Sequence, residues 1–382
     1  MTVVPAAATM PAIGAPHRFV LCARRTMVVR RGAASLRPNS RVQPNLVLFT
    51  GAGGFLGREI CRSWRHRDIR IRAVVRSHTG AVEDAAEVIP IGDLLTTDRL
   101  DHALAGVDTV IHLAGRVHEP RERPADGAAA LAMYRRTNVG GTRRVLEAAA
   151  AARVRAFVYI SSVKAVGERN ESPWTEDVQA HPEDAYGISK LESEAIVRDM
   201  ARSEGISAAI LRLPLVYGPG MRANMLRLFD VVAKRVPLPF GAVQNRRSLV
   251  FSGNVVAAID AVLATEPSLA SGEVFFVSDG EDVSTAELAR RIGNALGSPP
   301  VLIPVPDWML RWSGKSGDLF ATVIPAWPLT SAIVARLVDS LSLDISKLRR
   351  LTGFEPRFTM REGLRCTAAW YRHRPTDSKA VP

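Results

Sequence analysis

The chain has 382 residues, 47% hydrophobic and 23% charged, enough for a full core and ordinary for a globular enzyme. No apolar run reaches the roughly 18 residues of a membrane-spanning helix, so an integral membrane segment is excluded. The net charge of +12 suggests nucleic acid until it is mapped: seven arginines and no acid lie in residues 1–44, leaving only +5 on the rest. A surplus of that size suits a polyanionic cofactor and a diphosphate substrate better than a duplex.

Residues 1–44, rich in Ala, Pro and Arg and without amphipathic periodicity, read as a basic leader. Its composition fits either a disordered extension or an organelle transit peptide. From residue 45 short apolar runs alternate with helical stretches. Strands are predicted at 45–50, 69–75, 87–91, 108–112, 155–160 and 206–213, and helices near 54–66, 97–105, 127–152 and 184–204. That rhythm predicts βαβ crossovers, an α/β fold with a doubly wound parallel sheet over 45–213. After Pro214 the pattern changes. Helices near 222–235, 254–264, 284–296 and 360–372, with small strands near 273–278 and 301–305, predict a smaller α/β region over 214–373, mainly for substrate, and a tail at 374–382. Cys22, Cys61 and Cys366 show neither metal spacing nor a disulfide framework, so a reducing cytoplasm and no metal are expected.

The first strand runs into Thr50-Gly51-Ala52-Gly53-Gly54-Phe55-Leu56-Gly57 and then into a helix. A glycine turn between strand and helix lets backbone N–H groups reach a pyrophosphate, and the helix N-terminus adds partial positive charge. A dinucleotide, NADP(H) or NAD(H), is therefore expected on Gly51, Gly54, Phe55, Leu56 and Gly57. The second strand ends at Arg76, where NAD enzymes usually carry a carboxylate. An arginine there either pairs with a 2′-phosphate, favouring NADP(H), or is a solvated strand end. Asp93, followed by Leu94, either accepts from the adenine amino group or serves as a turn residue.

Tyr186 and Lys190 are four residues apart on a predicted helix, one turn from each other on one face. Hydride transfer to or from a carbonyl needs an acid/base at its oxygen, and a nearby ammonium is expected to bring a phenol down from its usual value near 10. Ser161 and Ser162 follow the predicted strand 155–160, at the sheet edge where open α/β folds bind ligands. Ser162 can hold a substrate oxygen beside Tyr186.

Together these elements resemble the extended short-chain dehydrogenase/reductases, the nucleotide-sugar epimerase/dehydratase group, over residues 45 to about 373. Seven segments carry the likeness in order: Thr50–Gly57, Gly92–Leu94, Ile111–Gly115, Asn138–Thr142, Tyr159–Ser162, Tyr186–Lys190 and Leu211–Gly220. The resemblance implies that Ser162, Tyr186 and Lys190 are catalytic. It places Leu113, Ala114, Gly115, Asn138 and Ser161 beside the cofactor, with Pro214 and Val216 closing over it. It also implies that Asn224 and Arg247 bind the UDP part of a UDP-hexose, and that the protein is a cytoplasmic homodimer. The C-terminal segments look most like the bacterial branch of 4-epimerases and 4-keto reductases that serves lipopolysaccharide. The 4,6-dehydratases of the group place Asp-Glu directly after the catalytic hydroxyl; Val163-Lys164 stand there, so dehydration is not expected. A dehydrogenase of a steroid or other small alcohol is the competing enzyme reading. A non-catalytic dinucleotide-binding protein is the competing non-enzyme reading.

Overall fold

The computed structural model describes residues 44–77, 82–117, 127–323 and 330–374, all within one unit spanning 41–382. Nearly all of the leader, and the tail beyond residue 374, lie outside the described residues.

The larger sheet has seven strands: β1 (Leu46–Thr50), β2 (Arg70–Val75), β3 (Glu87–Pro90), β4 (Thr109–His112), β5 (Ala156–Ser162), β6 (Ser207–Leu213) and β9 (Glu273–Phe276). Their spatial order is β3-β2-β1-β4-β5-β6-β9, and every neighbouring pair is parallel. The doubly wound sheet is therefore present, with its switch point between β1 and β4. The reason is legible in β1: Val47, Leu48, Phe49 and Thr50 are all buried, as a strand covered on both faces requires.

Helices α1 (Phe55–Trp64), α2 (Leu100–Leu104), α3 (Gly127–Tyr134), α4 (Gly141–Ala151) and α5 (Ala185–Glu204) supply the crossovers. The predicted helix 127–152 is broken by a π-helical turn at Arg135–Gly140. One hydrophobic cluster holds Phe49, Ile60, Trp64, Val158 and Leu211 on one face of the sheet, and another holds Leu48, Leu104, Leu146, Phe157 and Ile210. Alternate residues of one strand thus feed opposite cores.

The C-terminal part contributes to both layers. Its strand β9 completes the large sheet, and α7 (Ser252–Ala264) packs on α1, while α6 (Ala223–Ala233) belongs to a third cluster around Phe229, Phe251 and Leu364. A small sheet joins β10 (Asp282–Val283), β8 (Arg247–Phe251) and β7 (Leu215–Tyr217). The expected strand at 301–305 is only a single bridge between Leu302 and Leu238. Helices at Asp307–Val323, Ser331–Val338 and Ser346–Thr352, and strands β7 and β8, were not expected.

Candidate active site

Where β1 ends, Gly51 turns the chain with φ +71°, and a Cβ there would lie 2.7 Å from the Ala114 backbone nitrogen. A Cβ on Gly57 would lie 2.6 Å from the Ala52 carbonyl oxygen, so α1 passes directly over the turn. Gly54 caps α1, and its N–H donates to the Gly51 carbonyl at 3.0 Å. Phe55 and Leu56 open the helix, both half-buried. Only glycine allows this approach of loop, helix and β4.

Below the loop, Thr50 Oγ1 accepts from the Ala114 N–H at 3.2 Å and lies 2.6 Å from His112 Nδ1. His112 Nε2 lies 3.0 Å from Thr142 Oγ1. Burial, assisted by Lys190, holds the imidazole down to about 3, so it is neutral at working pH. A neutral ring accepts at one nitrogen and donates at the other, which serves both threonines.

Leu113 and Ala114 are half-buried just past β4, and a Cβ on Gly115 would lie 3.2 Å from Asn138 Oδ1. Asn138 itself is buried in the π turn. Its Oδ1 accepts from the Arg116 N–H at 2.7 Å, and its Nδ2 donates to Ser189 Oγ at 2.9 Å and to the Arg116 carbonyl at 3.2 Å. It therefore braces segment 115–116 against α5. At the other end of the sheet edge the Gly92 N–H donates to the Arg76 carbonyl at 3.1 Å, bringing Arg76 and Asp93 together, both exposed, with Leu94 half-buried. Asp93 Oδ1 accepts from the Leu95 N–H at 3.0 Å, a turn bond.

Tyr186 sits in the first turn of α5, whose N-cap Asp184 accepts from the Gly187 N–H at 2.7 Å. Lys190, one turn later and 5% exposed, donates to the Ile160 carbonyl at 2.8 Å and to the Tyr159 hydroxyl at 3.1 Å. These bonds leave the third ammonium proton for a ligand. Ser162 ends β5, half-buried, and its hydroxyl accepts from the Lys164 N–H at 3.2 Å.

The phenol does not move in the expected net direction. Burial pushes Tyr186 up most strongly, Lys190 pulls it down, Tyr159 raises it, and hydrogen bonding from Ser162 lowers it. Lys190 is itself pushed down by burial against the opposing pull of Tyr186 and Glu194. The ammonium acts as expected, but desolvation of a nearly enclosed phenol outweighs it.

Two of the expected site residues have partners within the protein. Ser161 does not face the cofactor loop with its hydroxyl: Oγ donates to Glu194 Oε1 at 2.5 Å, and Glu194 is held by Arg212 at 2.7 Å. Adjacent strand residues point their side chains to opposite faces, so the Ser161 and Ser162 hydroxyls do not face the same side of β5. Arg247 directs Nη1 to the carbonyls of Arg336 at 2.9 Å and Asp339 at 3.0 Å, tying down the end of helix Ser331–Val338. Asn224 lies exposed in the first turn of α6, and Pro214 is buried beside half-buried Val216 of β7. Among the described residues neither Asn224 nor Arg247 shares a hydrogen bond with Ser162, Tyr186 or Lys190.

Sequence reasoning missed Tyr134, which packs edge-on against Tyr186 at 6.0 Å between ring centres, and the buried pair Glu194–Arg212. Glu194 follows Lys190 by four residues on the same helix, a spacing that could have revealed it.

The sequence profile of the NAD dependent epimerase/dehydratase family matches residues 47–278, more than half of the chain. The chain belongs to that family. It is an NAD-dependent enzyme of the extended short-chain dehydrogenase/reductase type. The UDP-glucose 4-epimerase of Vibrio cholerae is 36% identical to it over 86% of this chain and 96% of its own length. The N-acetyl-α-D-glucosaminyl-diphospho-ditrans,octacis-undecaprenol 4-epimerase of Escherichia coli O157:H7 is 28% identical over 83% of this chain and 92% of its own. A solved structure of MoeE5 in complex with UDP-glucose and NAD is 26% identical, with a TM-score of 0.66, over 85% of this chain and 98% of that one. The family member described here has the cradle that a dinucleotide needs: Gly51 and Gly57 stand where a Cβ would close the approach to the backbone. Among the described residues no helix is long and apolar enough to cross a membrane, and no side-chain cluster could hold a metal ion.

Proposed function

We propose that this enzyme interconverts the C4 epimers of a UDP-hexose, supplying sugars for cell-surface polysaccharide. The observation that carries the reading is the grouping of Tyr186, Ser162 and Lys190 at the carboxyl edge of β5, beside the Gly51 turn, with Val163-Lys164 where an eliminating enzyme would need paired acids. Relatives named as sugar 4-epimerases support it.

NAD, when bound, supplies the acceptor and donor for the C4 hydrogen. The protein does the rest. Tyr186 takes the proton from the C4 hydroxyl oxygen and returns it, Ser162 holds that oxygen by hydrogen bonding, and Lys190 favours the ionised phenol while offering its free proton to the cofactor ribose. Gly51, Gly54 and Gly57 admit the pyrophosphate, and residues 113–115, braced by Asn138, form the wall beside the nicotinamide. Residues 214–373 carry the UDP contacts, and the working form is a homodimer.

The test is mass spectrometry of the nucleotide that co-purifies, together with proton NMR of UDP-glucose incubated with the enzyme. Retained NAD and appearance of the axial C4 epimer without added cofactor are expected. A stable UDP-glucose signal in both this and the N-acetylated sugar would contradict the proposal. Arg76, exposed at the end of β2, favours a second reading, a 4-keto reductase that exchanges NADPH. In that case Arg76→Asp shifts the ratio of kcat/KM values towards NADH by repelling the 2′-phosphate; an unchanged ratio rejects it.

A further inference from the structure

Lys164, Glu168 and Asp184 adjoin the catalytic trio without any part in the proton path. Lys164 lies two residues after Ser162, in the 3-10 turn Val163–Ala165. Its Nζ donates to Glu168 Oε1 and to Asp184 Oδ2, each at 2.6 Å. Asp184 uses its other oxygen to cap α5, accepting from the Gly187 N–H at 2.7 Å, and its carbonyl accepts from the Ile188 N–H at 3.0 Å. The same two segments also meet through backbone: a Cβ on Gly187 would lie 2.3 Å from the Lys164 carbonyl oxygen. Finally, the Lys164 N–H donates to Ser162 Oγ at 3.2 Å. One residue therefore touches Ser162 with its backbone and, through Asp184, the helical turn that bears Tyr186 with its side chain.

We propose that Lys164 is a positioning residue for the Ser162–Tyr186 pair, fastening the first turn of α5 to the turn after β5 and balancing the Asp184 carboxylate beside the phenol. The inference rests on Tyr186 being the acid/base of the proposed reaction. The surroundings of Tyr186 explain why the balance matters. From α5 it faces Lys190 and Asp184, from β5 Tyr159 and Ser162, and from α3 the edge of Tyr134. After burial, which raises the phenol most, Asp184 is the carboxylate in that group, and it also raises it. All three side chains of the Lys164 cluster are about a quarter exposed, so the pairs carry little net stability but still cancel charge locally. Removing the ammonium takes one positive charge away from Asp184, the carboxylate that raises a phenol that must ionise.

The experiment measures kcat against pH for UDP-glucose in the full-length enzyme and in Lys164→Met, Lys164→Arg and Lys164→Met/Asp184→Asn. Asparagine keeps a cap at position 184 and removes its charge. In Lys164→Met the rising limb moves to higher pH by about half to one unit, so kcat at neutral pH falls about three- to tenfold and returns in alkali. Lys164→Arg keeps the limb in place, and Asp184→Asn moves it back in the Met background. A merely structural lysine would instead lower kcat equally at every pH, or change nothing; either result overturns the proposal. If Lys164→Met does not fold, Asp184→Asn alone decides, because it must move the limb to lower pH, and an unmoved limb overturns the proposal. Tyr186→Phe separates the two levels. Turnover surviving in that variant sinks the reading of the site, whereas an inactive Phe variant with an unmoved limb in Lys164→Met removes only the role of Lys164.

Discussion

At the glycine turn the ends of β1 and β4 approach so closely that Gly51 has no room for a Cβ, whereas in the C-terminal part Arg247 and Asn245 give hydrogen bonds to carbonyls at the end of helix Ser331–Val338. The first region is shaped by backbone, with glycines at the contact points and Asn138 and His112 as internal braces. The second is held by long side chains that bridge separate segments of the chain. A polar residue in the first region is explained by what the loop must admit. In the second it is explained by which orphan carbonyl it satisfies, and only what is left over is free for a ligand.

That contrast can be broken most sharply at Gly51. Gly51→Ala adds a Cβ at positive φ against backbone that cannot rotate away, so NAD affinity is expected to fall on the order of 100-fold, read by calorimetry, with little change in circular dichroism. Unaltered affinity would mean the cradle is not what admits the dinucleotide. A smaller effect is expected from Arg247→Ala. Removing the Arg247 bond to the Arg336 carbonyl, and one of the two side-chain bonds to the Asp339 carbonyl, which keeps Asn245, costs about 1–3 kcal/mol of stability, seen as a shifted urea midpoint, with KM for UDP-glucose little changed. A raised KM at unchanged stability would return Arg247 to the substrate and erase the contrast.

A pH-dependent effect of similar size belongs to the brace under the loop. His112 has its folded value lowered to about 3 from 6.5, so its contribution to stability is present above about pH 6.5 and is lost as pH falls towards 3. Each unit of that window is worth about 1.4 kcal/mol. Urea unfolding at pH 7.5 and pH 5 should show a flatter dependence in His112→Gln than in the unaltered protein. Equal slopes would mean that the ring is charged, or exposed, in the folded state.

The same contrast explains what could be read from the chain alone. Strands β1, β2 and β4 to β6 lie within two residues of their predicted spans, because a strand covered on both faces is a short continuous apolar run. Tyr186, Lys190 and the glycine turn were legible because their chemistry requires particular residue types at fixed spacing. The π turn at Arg135–Gly140 was hidden, since its residues suit an α-helix equally well and only the bonds of Asn138 distinguish it. The direction of Ser161 follows from β5 continuing through Ser162, two residues beyond the predicted span. Helix Asp307–Val323 has at its middle Gly314, a poor helix former that weakens the pattern, at the point where Ser331 and Val334 pack too closely for a Cβ, with neighbours at 3.0 Å. Arg247 shows the general limit: a guanidinium recognises a phosphate and a row of carbonyls by the same donors, and sequence does not say which it has met.

The central claim is that Tyr186 carries the proton while the glycine turn and Lys190 hold the cofactor. Its most direct test compares turnover and NAD affinity in Tyr186→Phe, using NMR of UDP-glucose epimerisation and calorimetric titration with NAD. Turnover should fall by a factor on the order of 10² to 10⁴ while NAD affinity stays within about twofold. Turnover close to that of the unaltered enzyme, or a loss of NAD binding that accounts for the whole effect, would contradict the account.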